Sequence, residues 1–307
     1  MEIKGILVTS LAPFDNHIAN GGEKLLGNAS SIKRRPDGRV YISGQMQRHV
    51  LFSAIDRLNY ADDKHGETFV SNGDGITNQI ENDLRADMGG FMHPSKGNYS
   101  GRRTAPLSVT PAVAIKESEI GRDLLVRVRM DESDSAKEQA LATKEFSEHD
   151  LMHMNFFLDI SSLSISKAFN YEGGFNIGTL YYKHAKEEER KRRAKLYLEA
   201  TRSMNDYANQ ARNAVSGEPE QVLIVFDTVL SRKACRYFIA EEQERKNILA
   251  ELLERGAKYI IGDDKSDKSV AWAYKEAVNF LNANSLYDPS EVSDEDVKTF
   301  QQAFQNE

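Results

Sequence analysis

The chain has 307 residues, of which 40% are hydrophobic and 28% are charged. That composition supports a sizeable core, built as one elaborated domain or as two. No apolar run approaches the roughly 20 residues that a membrane-spanning helix needs, so we expect no membrane partner. The first residues lack the pattern of a secretory signal, which predicts a cytoplasmic protein. The single cysteine, Cys235, excludes an internal disulfide and a thiolate metal site.

The net charge of −7 argues mildly against a nucleic-acid partner, but the basic residues are unevenly distributed. Acidic residues concentrate late in the chain, at 241–244 and from Asp288 to Asp296. Basic residues recur between Asn20 and Tyr60, at Lys33, Arg34, Arg35, Arg39, Arg48 and Arg57. A protein of this kind can bind RNA through one basic face while the rest of its surface stays acidic.

The first sixty residues predict a strand, a loop and a helix. Residues 2–12 are short, aliphatic and β-branched, which indicates a buried strand ended by Pro13. A polar loop follows over residues 15–31, and residues 39–42 form a second short extended piece. Ser43 is a predicted N-cap. The helix after it has an apolar face that repeats every fourth residue, at Met46, Val50, Ala54 and Leu58.

The remaining chain alternates between strands and helices around two insertions. Residues 61–103 lack periodicity and predict loops with short helices. Alternating patterns over 124–130 and 152–160 predict an extended hairpin, whose polar link is partly helical. The charge-balanced run KEEERKRR predicts a solvated helix face. The other predicted elements are a strand at 104–115, a helix at 185–212, a strand at 221–230, a helix at 232–255, a strand at 258–261 and a helix at 270–281.

This order predicts an α+β protein with a ferredoxin-like or RNA-recognition-motif-like antiparallel sheet backed by helices. No sequence motif for a cofactor is present. The glycine loop after Asn20 lacks the ending of a phosphate-binding Walker loop. His149 and His153 have the spacing of a zinc protease motif, but His153 begins a predicted strand and no third ligand is indicated. We therefore expect no cofactor and no metal.

The basic turn is the stronger functional signal. Lys33, Arg34 and Arg35 precede Pro36-Asp37-Gly38, a tripeptide typical of turns, which predicts that the three side chains protrude. Ser43-Gly44-Gln45 then opens a helix, whose free amides attract anions. This chemistry suits phosphates and 2′-hydroxyls without reading bases. An ordinary capped helix after a charged loop explains the same residues equally well.

At these residues the sequence resembles a known family. Ile42-Ser43-Gly44-Gln45-Met46-Gln47-Arg48 is similar to a signature at the first helix of the Cas-seven group, in its DevR/Cst-like branch. These proteins are backbone subunits of CRISPR-associated type I interference (Cascade) complexes. The segment around Asp83, Leu84 and Met92, leading into TAPLSVTPAVAI, resembles a second family segment, although Arg85 replaces the usual Phe. The hairpin at 117–160 resembles the family's thumb and the strand after it.

The resemblance implies one elaborated domain shaped like a right hand. Its palm comprises about 1–14, 40–60, 104–116 and 152–235, with insertions at 15–39 (loop), 61–103 (fingers-like) and 117–151 (thumb hairpin), and a C-terminal helical extension at 236–307. Copies of the subunit align along a CRISPR guide RNA beside other Cascade subunits and present the guide for pairing with target DNA. The RNA-binding residues it implies are Asn20, Lys33, Arg34, Arg35, Ser43, Gln45, Arg48 and His49, with Arg102, Arg103, Arg127 and Arg129 as further candidates.

Related backbone subunits of type III complexes cut RNA with an aspartate in the loop before the first helix. Residues 28–35 contain no carboxylate here, and Asp37 belongs to the turn, so we expect no catalysis. Two alternatives remain open. One is a metal-dependent RNase of the type III kind. The other is a structural α+β protein whose basic loop meets a partner protein.

Overall fold

The computed structural model describes residues 1–25, 29–71, 77–92, 102–129 and 138–304. Its helices are α1 (Gly44–Tyr60), α2 (Leu84–Gly89), α3 (Glu187–Arg202), α4 (Glu242–Glu254), α5 (Val270–Ala283) and α6 (Phe300–Phe304), with a 3₁₀ helix at Lys233–Ile239. Its strands are β1 (Glu2–Ile3), β2 (Gly5–His17), β3 (Glu23–Lys24), β4 (Ala29–Ser31), β5 (Tyr41–Ile42), β6 (Phe91–Met92), β7 (Arg102–Arg103), β8 (Leu107–Val109), β9 (Ala112–Ala114), β10 (Ile120–Arg129), β11 (Glu138–Asp159), β12 (Ile165–Glu172), β13 (Phe175–Lys183), β14 (Gln221–Asp227), β15 (Lys258–Asp263) and β16 (Ser285–Leu286). The predicted α+β class is confirmed.

The main sheet is organised around β2. This strand pairs antiparallel with β11 on one side and with β14 on the other, so that Thr9 lies opposite both Asn155 and Leu223. β15 continues the sheet beyond β14, and β8 and β9 pair antiparallel with β11. The predicted end of the first strand at Pro13 is wrong, because the strand runs on to His17. β14 begins at Gln221, opposite Leu11, so it does not pair with the part of β2 that contains Pro13. Pro13 is tolerated because no strand needs its missing amide hydrogen there.

Both faces of this sheet are covered, which explains the nearly continuous apolar sequence of β2. Alternate side chains such as Ile6 and Val8 point into the main core, which they share with residues of α1, α3 and α5. Leu7 and Leu11 point the other way and pack against the 3₁₀ helix and α4. The predicted helix at 232–255 is interrupted at Ala240, which separates these two helices.

The helix after Ser43 follows the sequence prediction closely. Ser43 is extended, and its hydroxyl accepts a hydrogen bond from the amide of Met46 at 3.2 Å. Val50 and Ala54 are fully buried, whereas Met46 and Leu58 pack against the edge of the core. The cap and the apolar spacing therefore define α1 from local sequence alone.

The predicted hairpin is present, but its second arm is longer than the alternation indicated. β10 and β11 pair from Ile120 opposite Ser147 to Arg129 opposite Glu138. The predicted partial helix is wrong for residues 138–150, which are strand, and residues 131–137 lie outside the described ranges. Neighbouring strands on both sides of β11, β10 and β4, satisfy its backbone and favour the extended form.

Two features between residues 160 and 220 differ from the sequence prediction. β12 and β13 form a second hairpin, which the sequence analysis missed although Gly173 and Gly174, both with positive φ, supply its turn. α3 ends at Arg202 rather than at residue 212. Ser203, Asn205 and Asp206 follow that end, and these residue types compete for backbone hydrogen bonds and disfavour a continued helix.

The run KEEERKRR is not a solvated face, as the sequence predicted, because Arg190 and Arg193 are fully buried. Their partner groups come from distant parts of the chain. The guanidinium of Arg190 donates to three backbone carbonyls, those of Ile160, Leu163 and Tyr287. Such donor-rich groups are stable inside a protein when their hydrogen bonds are satisfied and a carboxylate is close.

Asp87 is the carboxylate that balances Arg193. Its two oxygens lie 2.6 Å from Arg103 and 2.7 Å from Arg193, and the amide and hydroxyl of Ser164 donate to them at 2.8 and 2.7 Å. Burial alone would raise the pKa of Asp87, but the two guanidinium groups and Ser164 outweigh it and lower the pKa. The carboxylate therefore stays ionised and joins α2, β7, α3 and the start of β12.

Within the described ranges, no helix is long and apolar enough to cross a membrane.

Replacing Asp87 by Asn should destabilise the protein by about 3–5 kcal/mol, because two guanidinium groups then lose their buried counter-charge. The measurement is the urea midpoint. Glu188→Gln is the matched control, since the ion pair between Glu188 and Lys64 is exposed and contributes about 0–1 kcal/mol. The folded pKa of Asp87 is lowered, so its stabilisation is present above the ordinary value of 3.8 and is lost as the pH falls below it. Equal midpoints for the two variants would contradict this role.

Candidate nucleic-acid interface

The basic residues 33–35 form one arm of a tight antiparallel turn. The amide of Tyr41 donates to the carbonyl of Lys33 at 3.5 Å, Arg34 bridges to Val40, and the amide of Arg35 donates to the carbonyl of Arg39 at 2.9 Å. Arg34 is exposed, and Lys33 and Arg35 are half-exposed. The turn thus presents three cations beside β5, the strand that leads directly into α1.

Asn20 fixes this turn rather than presenting itself at the surface. Its side-chain amide is buried and donates to the carbonyls of Lys33 at 3.1 Å and Tyr41 at 3.2 Å, while its oxygen accepts from the amide of Gly22 at 2.9 Å. This amide thus makes three hydrogen bonds to the backbone of the same chain. We leave Asn20 out of the direct interface and treat it as a positioning residue. Residues 26–28 of the glycine loop lie outside the described ranges.

The β10–β11 hairpin is attached to the same turn. Glu145 of β11 is buried, accepts from the amide of Ile32 at 3.3 Å, and lies 3.4 Å from the guanidinium of Arg34 and 3.1 Å from that of Arg122. β4 also pairs in parallel with β11. The predicted free loop at 15–39 is therefore bound along the hairpin, and Arg34 is partly neutralised there.

A buried polar cluster strengthens this connection. Asp150 of β11 accepts from His17 at 2.7 Å and from the hydroxyl of Ser118 at 2.5 Å. Ser118 in turn accepts from the amide of Val40 at 3.0 Å, in the basic turn. Burial acts to raise the pKa of Asp150, but the hydrogen bonds from His17, Ser118 and Ser147 lower it overall. The cluster has the residue types of a catalytic triad. Its serine, Ser118, is buried just before β10 and connects Asp150 to the amide of Val40, which is a structural role.

The start of α1 offers unpaired amides. Within the described ranges the amides of Gly44 and Gln45 donate no hydrogen bond, and the first turn contains no acidic residue. Ser43, Gln45 and His49 are exposed there, and Arg48 is half-buried. The helix dipole adds partial positive charge at this end. This surface can therefore bind an anion through backbone and side chains together.

The remaining predicted residues lie on β7 and β10. Arg103 is buried and bound to Asp87, so we leave it out of the interface. Arg102 lies on β7 opposite Met92. Arg127 and Arg129 lie on β10, opposite Ala140 and Glu138.

Three other polar residues named from sequence have partners of their own. Arg57 lies further along α1 and binds Asp206 at 2.6 Å, which removes its charge from the surface. His153 is buried against the hydroxyl of Thr9 at 3.1 Å, and His149 pairs with Asp15 at the exposed end of β2. Within the described ranges no three potential metal ligands cluster.

Sequence reasoning missed two charged residues near this surface. Glu145 joins the hairpin to the turn, and no local pattern predicts a pairing across more than 100 residues. Arg85 lies beside Arg48 on Phe52, with its guanidinium carbon 4.8 Å from the ring centroid. The sequence signal for Arg85 was its position, where the family usually has phenylalanine.

Replacing Ser43 by Ala should lower the free energy of unfolding by about 1 kcal/mol, because the amide of Met46 loses its acceptor. Ser43→Asn keeps an acceptor at the same position and should stay within a few tenths of a kcal/mol of the parent. Urea unfolding of the two variants tests the cap, and an equal loss in both would contradict it.

Comparison with known proteins identifies the relatives of this chain. No curated protein matches. Many solved structures match in fold, including two chains of CRISPR surveillance complexes. A chain of a "CRISPR RNA-guided surveillance complex" aligns with a TM-score of 0.51 at 15% identity, and a chain of a "CRISPR RNA-guided surveillance complex, pre-nicking" with a TM-score of 0.54 at 12% identity. Each alignment covers 90% of this chain and 99% of the other.

A family model agrees with the resemblance read from the first helix. The model described as "CRISPR-associated negative auto-regulator DevR/Csa2" matches residues 26–216. That range includes the basic turn, α1, both long hairpins and α3. The chain belongs to the CRISPR-associated DevR/Csa2 family.

Proposed function

We propose that this protein is a non-catalytic backbone subunit of a type I CRISPR surveillance complex, in the cytoplasm. It binds the guide RNA through its phosphates, lines up with further copies of itself and with other subunits, and presents the guide to target DNA. The observation that carries the proposal is the placement of the basic turn beside the free amides of α1. Family membership and the two similar surveillance-complex chains support it.

The strand order supports a ferredoxin-like palm. β14, β2, β11 and the β8–β9 pair lie side by side, with all neighbours antiparallel. In chain order these are the fourth, first, third and second strands of a βαββαβ unit, with α1 and α3 as its two helices. β15 extends that unit by one strand. In this arrangement the described parts of the 61–103 insertion (61–71, 77–92 and 102–103) belong to the fingers, and β10–β11 forms the thumb.

The chemistry of the interface favours the RNA backbone over the bases. Lysine and arginine side chains and helix-terminal amides bind phosphate oxygens, which are the same at every nucleotide. Ser43 and Gln45 add groups that can hydrogen-bond to a phosphate or a 2′-hydroxyl. A subunit that repeats along a guide of any sequence needs this kind of contact.

Exposed apolar side chains on the thumb-like hairpin support self-association. Val126 lies opposite Leu141 on adjacent strands, and Leu124 lies two residues away on the same face of β10. The exposed fractions of these three side chains are 56%, 54% and 65%. Apolar groups clustered on a protruding hairpin are typical of a surface that another molecule covers.

The alternative of a metal-dependent RNase is less favoured. Residues 29–35 carry no carboxylate. Asp37 accepts from the guanidinium of Arg39 at 2.8 Å, and this hydrogen bond lowers the pKa of Asp37. A carboxylate bound to its own arginine is a poor metal ligand. A purely structural partner-binding protein could have the same helix start, and the family match is what favours RNA binding over it.

Replacing Lys33, Arg34 and Arg35 together by alanine should weaken RNA binding and lower the slope of log affinity against log salt by about 0.7 for each lost phosphate contact. Fluorescence anisotropy with a labelled guide RNA over a salt series measures both. The matched control replaces Lys246, Lys258 and Lys265, three exposed lysines of the C-terminal region, and removes the same charge. If the two triple variants had equal salt slopes, residues other than Lys33, Arg34 and Arg35 would bind the RNA phosphates.

Assembled with guide RNA and supplied with complementary RNA and Mg²⁺, the protein should leave the target intact. The physical reason is the lack of a free carboxylate between residue 29 and the start of α1. Denaturing gels over a time course test this, with Asp37→Ala alongside. Periodic cleavage that Asp37→Ala abolishes would establish the RNase alternative.

A further inference from the structure

Two guanidinium groups share one aromatic ring at the junction of α1 and α2. The guanidinium carbon of Arg85 lies 4.8 Å from the ring centroid of Phe52, and that of Arg48 lies 5.6 Å from it. The ring attracts both cations through its quadrupole, and this attraction helps to hold two like charges together. The pair is thus built into the fold rather than left on flexible side chains.

In the part of the chain that the structure describes, neither guanidinium is directly paired with a carboxylate. Within the described ranges no carboxylate lies within 4 Å of either group. Arg48 donates to the carbonyl of Gly89, and the Nε of Arg85 is buried without a hydrogen-bond partner. The carboxylates of Asp83 and Asp56 act on Arg85 from longer range. This contrasts with Arg103 and Arg193, which both bind Asp87.

The backbone of α2 is shaped around this pair. A Cβ atom at Gly89 would lie 2.8 Å from the Nη2 of Arg48, 3.3 Å from the Phe52 ring and 3.5 Å from the Cγ of Arg85. A side chain at this position would therefore displace the guanidinium of Arg48 and press on the ring of Phe52. The close approach fixes the geometry before any ligand arrives, which reduces the entropy cost of binding.

The electrostatics favour binding of an anion. Burial lowers the pKa of Arg48, and the neighbouring Arg85 lowers it further. Burial also lowers the pKa of Arg85, and the two aspartates only partly offset this. Both groups stay charged at neutral pH because an arginine pKa begins far above 7. Two charged, partly desolvated groups repel each other until an anion is placed between them.

We propose that Arg85 and Arg48 together bind one phosphate of the guide RNA backbone, so that α2 of the 61–103 insertion takes part in the grip. This rests on the proposed function. The planar guanidinium fork matches the oxygens of a phosphate. Arg48 also lies one helical turn after the free amides of Gly44 and Gln45, so an RNA strand bound at the start of α1 has its next contact at this pair. The other candidate anion is a carboxylate of a second protein copy.

The test compares Arg85→Ala, Arg85→Gln and Arg85→Lys with the parent, in anisotropy titrations of a labelled guide RNA over a salt series. The matched control is Arg202→Ala, which removes a guanidinium that lies over the ring of Tyr274, at the end of α3. Removing the charge should weaken binding about tenfold and lower the salt slope by about 0.7. Arg85→Lys should keep the slope and lose part of the affinity, because it keeps the charge without the fork. Urea midpoints establish that each variant is folded.

The outcomes separate this proposal from the proposed function. If Arg85→Ala and Arg85→Gln bind like Arg202→Ala while the Lys33, Arg34 and Arg35 triple variant is weakened, the phosphate site is overturned and the subunit still binds RNA. If Arg85→Ala shifts the elution volume of the RNA-free protein and leaves RNA affinity unchanged, the anion is a carboxylate of another copy, and the proposal is overturned as well. If the parent protein binds no guide RNA, both proposals fail.

Discussion

The buried carboxylate of Asp87 is the constraint on which the arrangement of this fold depends. It comes from the insertion after α1, and its counter-charges come from β7 and α3, at Arg103 and Arg193. An ionised carboxylate without these partners would be too costly to bury. The insertion is therefore docked against the base of the β12–β13 hairpin, where Ser164 adds two hydrogen bonds. Because Asp87 needs this counter-charge, Arg103 lies in the interior, although the family resemblance named it as a candidate RNA-binding residue.

Charge satisfaction separates structural from functional arginines in this protein. A guanidinium whose donors are all met inside the chain, such as that of Arg193, has nothing left to offer a ligand. Arg48 and Arg85 share a ring and no acid, and the cations of the basic turn are neutralised only in part, by Glu145. A chain with a net charge of −7 can hold RNA on this basis, because the local balance of paired and unpaired charge decides affinity.

Local signals predicted the parts of the fold that short segments determine. The cap at Ser43 and the apolar repeat of α1 needed only a few neighbouring residues, and so did the turn at residues 36–38. The burial of Arg190 and Arg193 could not be predicted in that way, because the groups that satisfy them lie some 30 to 110 residues distant along the chain. The second hairpin is different, because Gly173-Gly174 gave a usable local signal. Of the proposed site, the basic turn followed from local sequence, whereas Arg85 could not be recognised without the contacts of Phe52 and Gly89.

The β10–β11 hairpin and the basic turn are held together by buried hydrogen bonds. Glu145 of the hairpin holds Arg34 and the backbone of residue 32, and Asp150 reaches the turn through Ser118 and the amide of Val40. Buried hydrogen bonds in such a network strengthen one another. A displacement of the β10–β11 hairpin by a neighbouring molecule would therefore carry the basic turn with it. Under the proposed function, contacts between copies and contacts with RNA would be coupled through Asp150 and Glu145, whose carboxylates are buried.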